Sequence, residues 1–95
     1  MPEEMQKLRN ALNVRGIEWT DSTRDEKRSF PFMDMNIYGT KFSFQNSTYE
    51  VISGFGTLGG QWGLLELRRL SHDPKGSLTA EGVLSIMDGR NNDKF

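Results

Sequence analysis

Three groups of residues in this chain have types and spacing that could bind or transform a ligand. The first is the run Gly54-Phe55-Gly56-Thr57-Leu58-Gly59-Gly60, with Trp62 and Gly63 just beyond. The second is a set of cations at Lys41, Arg68 and Arg69, and the third is the lone histidine, His72, beside Asp73. The glycine run has the letters of G-x-G-x-x-G, whose chemistry is to hold a pyrophosphate on the amides of a helix that opens directly after the glycine turn. In this chain Gly60 and Gly63 follow, Leu64-Leu65-Glu66-Leu67-Arg68 reads as a strand, and 95 residues are too few for the full dinucleotide fold. The run therefore predicts a hairpin or bulged loop, where glycine permits close backbone approach or positive φ. A ligand loop is the competing reading: Phe55 and Trp62 could stack on a planar group while neighbouring amides hold an anion.

Arg68 and Arg69 leave the predicted strand next to His72, Arg24, Lys27 and Arg28 lie in a polar stretch, and Lys41 lies on a strand. If they converge, they would hold phosphate or carboxylate groups. Scattered surface charges balanced by Glu50 and Glu66 are the plainer reading for a chain of net charge -1. That balance also lacks the basic field of general nucleic-acid binding, which is not expected. With one histidine and no cysteine, no metal site, cofactor, disulfide or thiolate nucleophile is expected. No G-x-S-x-G elbow is present, so no catalytic residue is assigned and the chain is not read as an enzyme. Phe42, Phe44, Tyr49 and Phe55 invite comparison with sheets that stack bases, but the RNA-recognition consensus is missing and in a small domain such residues form the core.

The elements that must position these residues follow from periodicity. Met5, Leu8, Ala11 and Leu12 recur at helical spacing, so residues 2–15 form a helix, with Gly16 at the left-handed stop and Ile17 packing back on Leu12. Residues 17–20 alternate like a short strand, and 21–29 are polar and aperiodic, a loop. From Phe30, Met33, Met35 and Ile37 alternate with Phe32, Asp34, Asn36 and Tyr38. Gly39-Thr40 has the chemistry of a type II′ hairpin turn, Gln45-Asn46-Ser47 of a second turn, and Asp73-Pro74-Lys75-Gly76 of a type I turn. Strands over 41–45, 49–52 and 64–68 follow. Thr79 is an N-cap with Leu78 and Val83 as a hydrophobic staple, and Ala80, Val83, Leu84 and Met87 form the apolar face of a closing helix that ends at Gly89.

The expected architecture is thus a single α+β domain over residues 1–89, with an N-terminal helix, an antiparallel meander of four to five strands and a C-terminal helix packed on the sheet. Residues 90–95 are expected to be a flexible tail. No apolar run approaches a membrane span and no leader is evident, so neither a membrane partner nor export is expected, and cytoplasmic residence is the default.

The stretch Lys7-Leu8-Arg9-Asn10-Ala11-Leu12-Asn13-Val14-Arg15-Gly16-Ile17-Glu18-Trp19-Thr20-Asp21-Ser22 resembles the start of small proteins of phages and prophages of gut Firmicutes and related bacteria. The glycine run with Gly63-Leu64-Leu65-Glu66-Leu67, and the late Leu78-Thr79-Ala80-Glu81-Gly82-Val83, are similar to their middle and end. The resemblance brings no active site. It implies a setting, the host cell, and a role: inhibiting a host protein or sequestering a host signal, including those of bacterial immunity. Two functions are therefore expected in competition. One is a non-catalytic binder of a host protein, and the other a sponge for an anionic nucleotide held by Gly54, Phe55, Gly56, Gly59, Gly60 and Trp62 with Lys41, Arg68 or Arg69. A homo-oligomer is expected from the open face or edge of such a sheet.

Overall fold

The computed structural model describes residues 1–24 and 36–89, so the expected loop residues 25–29, strand residues 30–35 and tail 90–95 lie outside the described residues. In chain order come α1 (Glu3–Val14), β1 (Trp19–Asp21), β2 (Ile37–Phe44), β3 (Ser47–Gly54), a 3-10 turn (Gly60–Trp62), β4 (Leu65–Arg69), β5 (Lys75–Leu78) and α2 (Ala80–Met87). The sheet order is β1-β2-β3-β4-β5 with every neighbour antiparallel. This is the α+β meander that the sequence predicts.

Both helix ends carry the expected chemistry. Past α1, Gly16 takes φ 72°, its N–H donates to the Asn13 carbonyl at 3.0 Å, and the Ile17 N–H donates to the Leu12 carbonyl at 2.9 Å. Those two bonds are the Schellman stop. At the start of α2 the Thr79 hydroxyl accepts from the Gly82 N–H at 3.1 Å. Both helices cover one face of the sheet. Met5, Leu8 and Leu12 of α1 and Ala80, Val83 and Met87 of α2 pack over Phe42, Tyr49, Val51, Leu65 and Leu67. The Phe42 and Tyr49 rings stack with centroids 5.4 Å apart, inside the core.

Polar contacts fix how the helices lie. The Ala80 N–H donates to Glu4 Oε1 at 2.9 Å, joining the two N-terminal ends. Arg15 grips Asp88 with two parallel bonds of 2.8 and 2.7 Å, joining the two C-terminal ends. The first and last helices therefore run parallel, side by side.

Two expected turns are not turns. Gly39 and Thr40 lie inside β2, opposite Ile52 and Val51. The reversal occurs at Gln45-Asn46, with φ 48° and 65°, the two-residue loop of a type I′ hairpin. Gly39 serves a close approach instead: the Ser22 N–H donates to its carbonyl at 2.9 Å, and a Cβ on Gly39 would stand 2.3 Å from Ser22 Oγ. Asp73-Pro74-Lys75-Gly76 likewise forms no type I turn. The chain reverses over 69–72, where the His72 N–H donates to the Arg69 carbonyl at 3.1 Å and Ser71 takes φ 66°. Lys75 and Gly76 already belong to β5, which pairs Leu78 with Leu65 and Lys75 with Leu67, leaving Gly76 and Ser77 bulged opposite Glu66.

Candidate functional site

The glycine run connects β3 to β4, and its own hydrogen bonds shape it. Thr57 Oγ1 donates to the Gly54 carbonyl at 2.8 Å and accepts from the Gly54 N–H at 3.0 Å. The Gly60 N–H donates back to the Thr57 carbonyl at 3.2 Å, and the Trp62 and Leu64 N–H groups both donate to the Gly59 carbonyl at 3.0 Å. A side chain at Gly60 would place its Cβ 2.0 Å from the Gly54 carbonyl oxygen, so only glycine lets the loop fold this tightly. Below it, the Ser53 hydroxyl donates to the Leu64 carbonyl at 2.8 Å. The Leu58 N–H donates to Glu66 Oε1 at 2.9 Å, and the Leu58 carbonyl accepts from the Ser77 N–H at 3.2 Å.

With the amides of Gly54, Thr57, Leu58, Gly60, Trp62 and Gly63 bonded within the chain, the loop presents large apolar side chains to solvent. Trp62 is 73% exposed, and Phe55 and Leu58 are each 51% exposed. Residues 54–63 include no charged side chain. The structure thus gathers Gly54, Phe55, Gly56, Gly59, Gly60 and Trp62 of the expected site on one loop and adds Leu58, which the sequence reading passed over. An apolar residue stranded among glycines, outside any periodicity, was the signal for it.

Among the described residues the cations do not all converge. Lys41 and Arg68 flank Glu50 on the face of the sheet away from the helices, one strand to either side of it. Lys41 lines an open groove beside β1 with Ile17, Trp19 and Ser43, rather than the loop. Arg68 gives its Nε to Glu66 Oε2. Arg69 points to the other face, its guanidinium 5.8 Å from the Tyr49 ring. Glu50 is engaged by the Ser22 hydroxyl at 2.8 Å and by Arg24 Nη2, 3.0 Å from each of its oxygens.

A further cation, outside the expected site, is buried. Arg9 is 7% exposed on the sheet-facing side of α1. It donates to Thr40 Oγ1 and to the Gly39 carbonyl, each at 2.8 Å, and to Asp21 Oδ1 at 3.2 Å, and its guanidinium lies 4.6 Å from the Trp19 ring centre. Its spacing was the signal: four residues after Met5, it lies on the same helix face as Met5, Leu8 and Leu12. Asp21 is held below the usual carboxylate range by the Thr23 hydroxyl and the Thr23 N–H, with Arg9 adding to the effect.

His72 sits exposed in the β4–β5 turn, its Nδ1 3.0 Å from the Leu70 carbonyl oxygen. Among the described residues no group of three or more His, Cys, Asp or Glu side chains is placed to hold a metal ion. Nor is any helix among them long and apolar enough to cross a membrane. Comparison with protein-family models, with curated proteins and with solved structures finds no match to this chain.

Proposed function

We propose that the chain is a non-catalytic binding protein that docks on a partner protein through the 54–63 loop, with Trp62 as the anchor and Phe55 and Leu58 beside it. The observation that carries this reading is the loop's polarity: most of its amides bond within the chain while Trp62 stands in water and Phe55 and Leu58 are half exposed beside it. Water alone favours the reverse, and fully burying an exposed side chain of this kind contributes roughly 1.5–3 kcal/mol, about half of that for the half-exposed Phe55 and Leu58. Tryptophan is also the residue type most enriched among the few that dominate interface energetics.

Taking about 150–250 Å² for each aromatic side chain, the exposed parts of Trp62 and Phe55 amount to roughly 250 Å², and even with half of Leu58 added the sum is under half of the ~800 Å² one partner commits to a standard interface. The loop is an anchor within a wider footprint. The resemblance to phage and prophage proteins supplies the setting: a bacterial host protein, including one of immunity, held or inhibited by the bound chain.

The test is capture from bacterial lysate with the wild-type protein and the Trp62→Ala variant side by side. A protein retained in stoichiometric amount by the wild type and lost by a variant of unchanged circular dichroism supports the reading. Equal retention by both, or none by the wild type, removes it. A rise in melting temperature with a mono-, di- or cyclic nucleotide would favour the anionic-ligand alternative instead.

A further inference from the structure

We infer that Glu66 is the positioning residue of the 54–63 loop, a buried carboxylate that clamps Leu58 and so holds the apolar knob in one shape against the sheet. Glu66 lies on the sheet face away from the helices, opposite Ile52, yet it is only 3% exposed. A carboxylate in such a place is costly unless its oxygens are satisfied. Both are: Oε1 accepts from the Leu58 N–H at 2.9 Å and Oε2 from Arg68 Nε, which also balances the charge.

The other side of Leu58 is held from the next strand. The Ser77 N–H in the β5 bulge donates to the Leu58 carbonyl at 3.2 Å. Gly76 leaves room for the Leu58 side chain, since a Cβ there would stand 2.1 Å from Leu58 Cβ. Carboxylate, bulge and missing side chain, drawn from β4 and β5, thus converge on one loop residue lying between Phe55 and Trp62. A loop already ordered in the free chain does not lose its freedom on binding, and that is where a clamp adds affinity without touching the partner.

This inference rests on the loop being the docking surface, but the clamp is a property of the free chain and is tested there. Hydrogen exchange read amide by amide by NMR should show Leu58 and Ser77 protected together in the wild type. In Glu66→Ala, Leu58 should lose about ten- to a hundredfold of its protection while the amides of β3 and α1 keep theirs. Glu66→Gln, which retains an acceptor oxygen, should restore most of it. Leu58 exchanging freely in the wild type, unchanged protection in Glu66→Ala, or an equal loss across the whole sheet would each overturn the clamp. The wild-type and Glu66→Gln measurements stand even if Glu66→Ala does not fold. Should capture by Trp62 fail while the exchange pattern holds, the docking reading falls and the clamp remains; exchange failure with capture intact means the opposite.

Discussion

Arg9 lies between α1 and the β1–β2 pair, with Thr40 Oγ1, the Gly39 carbonyl and Asp21 as its acceptors and the Trp19 ring beside its guanidinium. Replacing it with alanine takes a charged donor from each of the first two, although the Gly39 carbonyl keeps the Ser22 N–H and Thr40 Oγ1 keeps Met5 Sδ, whereas Asp21 can return to water. The expected loss is about 1.5–3 kcal/mol, the worth of hydrogen bonds made by a charged group, read as a lower urea midpoint together with a red shift of Trp19 emission. Glu4 titrates with a different consequence. The Ala80 N–H, aided by Lys7, draws its carboxyl below the ordinary glutamate range, against a smaller opposing effect of burial. Because the folded value is the lower one, the stabilisation is complete above the ordinary range and fades as pH falls through the lowered value. Glu4→Gln should therefore flatten the acid limb of a plot of urea midpoint against pH, at a neutral-pH cost of under about 1 kcal/mol. Trp62→Ala, by contrast, should move the midpoint by no more than about 0.5 kcal/mol, since the side chain packs little in the free chain. A larger loss would mean that the indole is structural.

At the scale of elements, what could be read in the sequence was what depends on near neighbours. The Schellman stop at Gly16 and the cap at Thr79 are decided within a few residues, and both stand as expected. Gly39 was misread because its reason is Ser22, seventeen positions earlier in the chain and opposite it in the sheet. Short β5 was missed because Lys75-Gly76-Ser77-Leu78 has no alternation, and only pairing with β4 makes it a strand. The loop's composition pointed to the right residues, but which of them face outward follows from a hydrogen-bond network that spacing does not encode. Two substitutions test these elements. Asn46→Gly, at φ 65° in the type I′ turn, should raise stability by about 0.5 kcal/mol or slightly more. Gly39→Ala should lower it by about 1 kcal/mol through displacement of the Ser22 hydroxyl from Glu50, and a partial recovery in the Gly39→Ala, Ser22→Gly double variant would trace the cost to that contact.

Among the described residues, one face of the sheet is closed by two parallel helices, the edge strands β1 and β5 are three and four residues long, and an apolar knob stands at one end of the sheet. Edges this short offer little to a second copy, so the homo-oligomer expected from the sequence would close through the loop. Light scattering should then show a mass that rises with concentration in the wild type and not in Trp62→Ala; a flat wild-type curve discards the oligomer. The parallel helices also bear on how the chain is made. Each strand finds its partner next to it in sequence, but Glu4 meets the Ala80 amide across 76 positions and Arg15 meets Asp88 across 73. A nascent chain that has emerged as far as β5 can build its sheet and dock α1, yet Val83 and Met87 are still missing from the core. Until α2 arrives, that apolar face stays open to chaperones, proteases and other unfinished chains.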